Sequence, residues 1–458
     1  MGRETPKYVS IAGDLAHSIQ LGQLVNGDKL PPQRELAARL GVTIGTITRA
    51  YAVLEQRGLA SARMGDGTYV RCGEPGFAHQ TPINLAHNVP LSTELEVGAL
   101  KQALGDLASD NKMLREMLDY QSELGVDRHR EAGARYLRHL GTKGESNRVM
   151  ITNGVQQALA FVLRIFARPG DTVLTESLSY HGILPLAREF RLQLVGVETD
   201  AQGLLPHALE RAANTFGAKL LYCMPTLQTP TGSTMSMVRR IEVAEVVRRC
   251  KLLLIEDGVH AVGQKSPLPA LSTWVPDRSF LLTSFSKAVT AGLRVGYLEA
   301  DPKWLNKFAA VMRADSFMVA PLLPEVVTRW LESGLMQQLI NTHRDLQIER
   351  LDRVRALMGE ASRRWDEALD FHCDPGFPFI WLRLPARWEA EELAAVLLRE
   401  GVLVRTANHF KMGRGVAPQA LRISLNAPGS LDALELGMRK LLRTLLKPAD
   451  MEARAQSN

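Results

Sequence analysis

Along the first seventy residues apolar positions recur every three to four places, and then the rhythm changes. Ile11, Leu15 and Ile19 fall on one face of a helix. Residues 27–32 read as a turn, Pro32 suits the opening of a helix over 33–40, and Gly41 suits its end. Thr43 is placed to cap a third helix running to about Gln56, with Gly58 as its stop. Short runs on either side of Gly65-Asp66-Gly67 predict a hairpin. Three helices and a hairpin, with a tight turn between helices two and three, predict a winged helix-turn-helix over residues 1–72.

Residues 73–82 carry turn formers without periodicity and read as a linker. From about residue 83 helical patterns alternate with short apolar runs at 172–175, 219–224, 251–255 and 280–283. That alternation predicts a mostly parallel α/β sheet covered by helices, spanning 83–335. A long helical stretch over 336–369 follows. Strands near 379–384, 402–405 and 421–425 then interleave with helices at 389–399 and 431–446, which predicts a smaller α+β subdomain over 336–447. Residues 448–458 form a polar tail.

Composition narrows the class. The chain has 458 residues, 45% hydrophobic and 23% charged, as expected of a soluble multidomain protein with a large core. No apolar run approaches the roughly 18 residues that span a bilayer, and residues 1–20 lack a signal-peptide core, so the cytoplasm is the expected location and no membrane partner is expected. The four cysteines are scattered without metal-ligand spacing; they are expected to be reduced, and no metal is expected. The net charge is +6, yet residues 1–75 hold nine Lys/Arg against seven Asp/Glu. Any grip on DNA must come from local clustering.

The sharpest chemistry lies at Lys287, in Ser284-Phe285-Ser286-Lys287, with Arg294 seven residues on. A lysine among hydroxyls and followed by an arginine suits a phosphorylated aldehyde: the amine forms a Schiff base while Ser284, Ser286 and Arg294 hold the phosphate. Gly154, Val155 and Gln156 open a helix after a short strand, where free N–H groups and the helix dipole favour a phosphate. Asp257 ends a buried strand, the edge at which open α/β sheets bind ligands. A carboxylate there would keep a pyridine nitrogen protonated.

Residues 8–71 resemble the GntR-type winged helix, through Leu30-Pro31-Pro32-Gln33-Arg34-Glu35-Leu36-Ala37, Thr46-Ile47-Thr48-Arg49-Ala50-Tyr51 and Gly65-Asp66-Gly67-Thr68-Tyr69-Val70. The resemblance implies that Arg34 and Arg49 approach DNA and that the wing at Gly65 and Gly67 lies along the backbone or minor groove. Thr43, Ile44, Thr46 and Thr48 would stand near the major-groove end of helix three. Many members carry an arginine where this chain has Ile44-Gly45, which removes a guanine reader.

Residues 83–447 resemble fold type I aminotransferases, which use pyridoxal 5'-phosphate (PLP). The two halves together resemble the MocR-type regulators. The resemblance assigns Lys287 the Schiff base, Tyr180 the ring stack, Arg422 a carboxylate of the effector, and Tyr120 a reach to the phosphate of the neighbouring subunit in a homodimer. Thr229 and His260 stand where the family usually has asparagine and tyrosine beside the cofactor's phenolic oxygen, which favours cofactor binding over efficient transamination. The implied function is a DNA-binding regulator that senses an amine, an amino acid or a B6 vitamer through imine (aldimine) chemistry. A working aminotransferase with an accessory head, and a body kept only for dimerisation, are the alternatives.

Overall fold

The computed structural model describes residues 7, 8, 11, 12, 15, 18, 24, 28–56, 60–63, 66–70 and 82–446. The chain divides into two compact units, residues 1–81 and 82–458. Ile19, Gly58, Gly65, linker residues 73–81 and the tail fall outside the described residues.

In the first unit, helices Gln33–Leu40 and Ile44–Gln56 pack beside strands β1 (Ala60–Arg63) and β2 (Gly67–Val70), which pair antiparallel. Pro32 precedes the first helix. Gly41 ends it at φ 62°, a left-handed turn that glycine adopts without strain. Leu30, Leu36, Ile47, Tyr51, Leu54 and Val70 form the core, with Ile11 and Leu15 against it. One expectation changes. Residues 28–30 do not stay a free turn: Leu30 N–H donates to Thr68 O at 2.8 Å and Val70 N–H to Asp28 O at 2.7 Å. Leu30 and Val70 enter the same core, so their backbones run side by side.

The second unit is built on a seven-stranded sheet in the order β4-β12-β11-β10-β9-β5-β6. The strands are β4 (Val149–Thr152), β5 (Thr172–Glu176), β6 (Gln193–Val197), β9 (Leu220–Cys223), β10 (Leu253–Asp257), β11 (Ser279–Ser284) and β12 (Gly296–Ala300). β12 runs antiparallel to both neighbours and the other pairings are parallel. β7 (Thr199–Asp200) and β8 (Gly203–Leu204) make a small hairpin. β4, β9 and β11 are buried at every position, which is why their apolar residues stand side by side and do not alternate with exposed polar ones.

A second, antiparallel sheet has the order β13-β14-β17-β16, from β13 (Phe371–His372), β14 (Phe379–Arg383), β16 (Arg405–Thr406) and β17 (Ala420–Ser424). β3 (Ile83–Asn84) pairs in parallel with β15 (Val402–Leu403), and Leu85 joins the core of this smaller part. The chain therefore enters the second unit on the side of the small sheet, where the sequence places the large domain. Helix Leu335–Trp365 runs without a break through the expected boundary at 335/336. Its first turns give Met336, Leu339 and Ile340 to the large core, and its later turns give Leu351, Val354 and Leu357 to the small one. Asp366, at φ 49°, ends it short of residue 369.

Candidate cofactor site and nucleic-acid interface

The ends of β4, β10, β11 and β12 converge on one site. Register puts Ser284 opposite Gly296, and Gly296 opposite Thr152, so three strands bring their ends into one row. Gly154 follows β4 at φ 82° and opens helix Val155–Phe166. A Cβ on Gly154 would lie 2.6 Å from Nη2 of Arg294, so the guanidinium needs that glycine. Arg294 itself sits at φ 54° and donates to Asn153 O at 3.3 Å. Ser284 and Ser286 share a hydroxyl–hydroxyl bond of 2.6 Å. Gly154, Ser284, Ser286 and Arg294 thus line one cradle beside a helix N-terminus, whose first N–H groups have no partner within the helix.

Asp257 is buried at the end of β10. Its carboxylate accepts from the Tyr222 hydroxyl at 2.8 Å and from Val259 N–H at 3.1 Å. Burial pushes the carboxyl up to about 6, although those two donors and Lys287 favour its charged form. Lys287 follows β11, and its Nζ donates to Asn88 O at 2.9 Å. Burial, reinforced by Arg422 and Arg294, lowers the amine to about 8. Tyr180 is partly buried, and its hydroxyl donates to Gln156 Oε1 at 3.2 Å; Gln156 in turn donates to Gly182 O at 2.8 Å.

Thr229 and His260 meet at 3.3 Å, both buried. His260 differs from expectation. The sequence suggests a histidine titrating near neutral pH, but burial, with Lys287 and Arg422 nearby, depresses it to about 3. It stays neutral. Arg422 on β17 is 2% exposed, donates through Nη2 to Ala86 O at 2.6 Å, and lies between the rings of Phe379 and Phe410, 4.1 and 4.6 Å from their centroids. Tyr120 stands apart from these residues of its own chain, 82% exposed beside Phe317.

Two residues that position the site escape the sequence reading. Tyr222, fully buried on β9, orients Asp257. Its signal is a lone phenol in an aliphatic strand, which must find a partner for its hydroxyl. Glu176 at the end of β5 is also buried and pushed up to about 7 by burial, with Asp257 adding to the rise. It accepts from Ser179 Oγ and Met224 N–H, both at 2.7 Å, and so fixes the loop that leads to Tyr180.

In the first unit Arg34 and Arg49 are exposed, as are Thr43, Ile44 and Thr48, while Thr46 is half-buried. Thr43 and Thr46 share a bond of 2.9 Å, and the Thr48 hydroxyl reaches Gln33 Oε1 at 2.7 Å. The hydroxyls are therefore already oriented at the start of the helix. Gly67 lies at φ 142°, where a Cβ would meet Lys29 Cε at 2.7 Å.

Residues 80–441 match the model of the class I and II aminotransferases, and residues 7–70 match that of the gntR family of bacterial regulatory proteins. The chain belongs to the MocR type, a gntR head on an aminotransferase body. YdeF of Bacillus subtilis, described as an uncharacterized HTH-type transcriptional regulator, is 30% identical over 455 residues, covering 96% of this chain and 95% of that one. The pyridoxine biosynthesis regulator PdxR of Corynebacterium glutamicum is 27% identical over 357 residues, 74% of this chain and 76% of its own. Among solved structures, the α-aminoadipate aminotransferase LysN of Thermus thermophilus, complexed with N-(5'-phosphopyridoxyl)-L-leucine, aligns with a TM-score of 0.69 and 26% identity over 80% of this chain and 92% of that one. PLP is the cofactor of this MocR-type body, and the cradle at Gly154 and Arg294 together with the lowered amine of Lys287 fits it. Among the described residues, no group of His, Cys, Asp or Glu is placed to hold a metal, and no helix is long and apolar enough to cross a membrane.

Proposed function

We propose that this protein is a transcription regulator in which a PLP-holding body senses an amine, an amino acid or a B6 vitamer and alters DNA binding by the head. The observation that carries the reading is the pairing, in one chain, of a PLP-type site with an exposed recognition helix. PLP, when bound, supplies an aldehyde that condenses with primary amines. Lys287 holds it covalently. Gly154, Val155, Gln156, Ser284, Ser286 and Arg294 receive its phosphate, Asp257 faces its ring nitrogen, Tyr180 covers the ring, and Thr229 and His260 flank its phenolic oxygen. Arg422 takes a carboxylate of the effector as a bidentate pair. Tyr120, too exposed to serve its own site, reaches the phosphate bound by a partner subunit, so the working unit is a homodimer that presents two heads to two half-sites.

An effector can shift DNA affinity only if it binds one arrangement of the protein better than another. The test follows the absorbance of the bound cofactor and the anisotropy of an operator fragment while primary amines are added. Coincident changes support sensing; spectral changes with multiple turnovers on a keto acid and unchanged DNA affinity favour the aminotransferase reading.

Arg49→Ala is expected to weaken operator binding by about 1–3 kcal/mol if the guanidinium reads a base, measured by anisotropy at fixed salt. A loss equal on random DNA would assign Arg49 to phosphate instead. Gly154→Ala is expected to weaken PLP binding by at least roughly tenfold. The new methyl group requires Arg294 to move from the cradle and strains a left-handed backbone. Fluorescence titration of the apoprotein with PLP measures it.

A further inference from the structure

β16 and β17 set two arginines against each other. Arg405 and Arg422 are direct partners in the antiparallel register, so both side chains leave the same face of the sheet. Like charges placed directly opposite destabilise a sheet, and such a pair is retained at a cost. Among the described residues the Arg405 side chain makes no hydrogen bond or ion pair. Arg422 is almost fully buried, yet its Nε has no partner. Two histidines complete the group. His181 follows β5, and its ring centroid lies 4.5 Å from that of His409, in the turn Ala407–Phe410. His181 Nδ1 is buried without a partner. Burial first, then the neighbouring His409, Arg422 and Arg405, hold His181 down at about 4, so its ring is neutral while the site is empty. The acid acting on His409 is Glu391, but its Oε1 accepts from Thr406 Oγ1 at 2.7 Å and bonds neither arginine. Lys287 acts on His181, and Arg422 acts on Lys287, so the cluster and the amine share one field.

An arginine pair and two histidines, with two buried nitrogens lacking partners and no carboxylate bonded to either arginine, gather charge and polar groups that suit an anion. We infer that the effector carries two anionic groups: one is taken by Arg422, and a second, a carboxylate or phosphonate, is taken by Arg405 with His181 and His409. The inference rests on the proposed role of Arg422 and narrows the effector to acidic amino acids and their phosphonate analogues. A neutral side chain would leave Arg405 opposed to Arg422 with nothing between them.

The test uses the full-length holoprotein and ligand pairs of equal carbon number: L-glutamate against L-glutamine, and L-2-aminoadipate against L-norleucine, with L-2-amino-5-phosphonopentanoate to separate phosphonate from carboxylate. Binding is read from the absorbance of the bound cofactor. The acidic members are expected to bind at least about tenfold tighter than their neutral partners, as for a charge-assisted bond. Arg405→Gln is expected to erase that preference, to leave the affinity for the neutral ligands within about twofold, and to melt no lower than the natural protein, because it removes one of two opposed charges. Equal affinities within a pair, or equal losses for both members in Arg405→Gln, overturn the proposal. Calorimetry with the same pairs on the natural holoprotein, set beside its absorbance, separates the two readings. An acidic preference that persists there without any spectral response upholds the anion site while the sensing reading fails. No preference there overturns the site.

Discussion

Lys287→Ala is expected to hold no cofactor that borohydride can fix, and its operator affinity should no longer respond to amines. An ordinary lysine amine, at 10.5, is neutral in about one molecule in 3,000 at pH 7. Lowered to about 8, Lys287 is neutral in roughly one in ten, a gain of some 300-fold in the form that attacks a carbonyl. The cause is local: a buried amine with Arg422 and Arg294 close by and one hydrogen bond, to Asn88 O. Removing the Lys287 side chain leaves the head, which has its own core, free to bind its operator as before. Peptide mass mapping after reduction checks the first part, and anisotropy with and without amines the second. A reduced adduct that survives the substitution on another peptide would move the chemistry elsewhere and sink the assignment.

The residues legible in the sequence share a physical trait: their chemistry is set by local backbone. Gly154 ends a strand and starts a helix, Asp257 ends a buried strand, and Lys287 follows one. A strand end next to a turn is visible in a linear pattern. The head was legible for the same reason, since Pro32, Gly41 and Thr43 bound their helices through short-range geometry. What escaped depends on partners distant in the chain. Tyr222 finds Asp257 across 35 positions, and β3 pairs with a strand more than three hundred residues later. The opposition of Arg405 and Arg422 exists only through the register of two short strands. His260 illustrates the other gap. Its residue type was read, but its protonation depends on burial, which spacing does not encode. The helix Leu335–Trp365 hid a boundary because a continuous helical pattern carries no sign of which core each turn enters.

Asp257→Asn is expected to stabilise the apoprotein and weaken the cofactor complex, reversing the order of melting temperatures on loading. The folded protein raises this carboxyl from 3.8 to about 6. A raised folded value means that the stabilising contribution is complete below pH 3.8 and is lost as pH climbs through 6. At pH 7.5 the buried carboxylate therefore costs on the order of 3 kcal/mol relative to its protonated form. Asparagine removes the charge and keeps both contacts: its Oδ1 can accept from Val259 N–H, and its amide can donate to the Tyr222 hydroxyl. Glu176, raised partly by Asp257, is relieved in the same direction. The apo variant should thus melt higher than the natural apoprotein at pH 7.5, and the gap should close toward pH 4. On the proposed placement PLP inverts the balance, because a protonated ring nitrogen opposite Asp257 would add a cation beside the carboxylate, whereas asparagine carries no charge to pair with it. Natural holoprotein should gain more on loading than the variant, and the variant should need more PLP for half-saturation. Scanning calorimetry of both proteins, with and without PLP, at pH 4.5 and 7.5 gives all the quantities. A variant that is less stable than the natural apoprotein at pH 7.5 would show that the carboxylate is already compensated, and its place opposite the ring nitrogen would have to be abandoned.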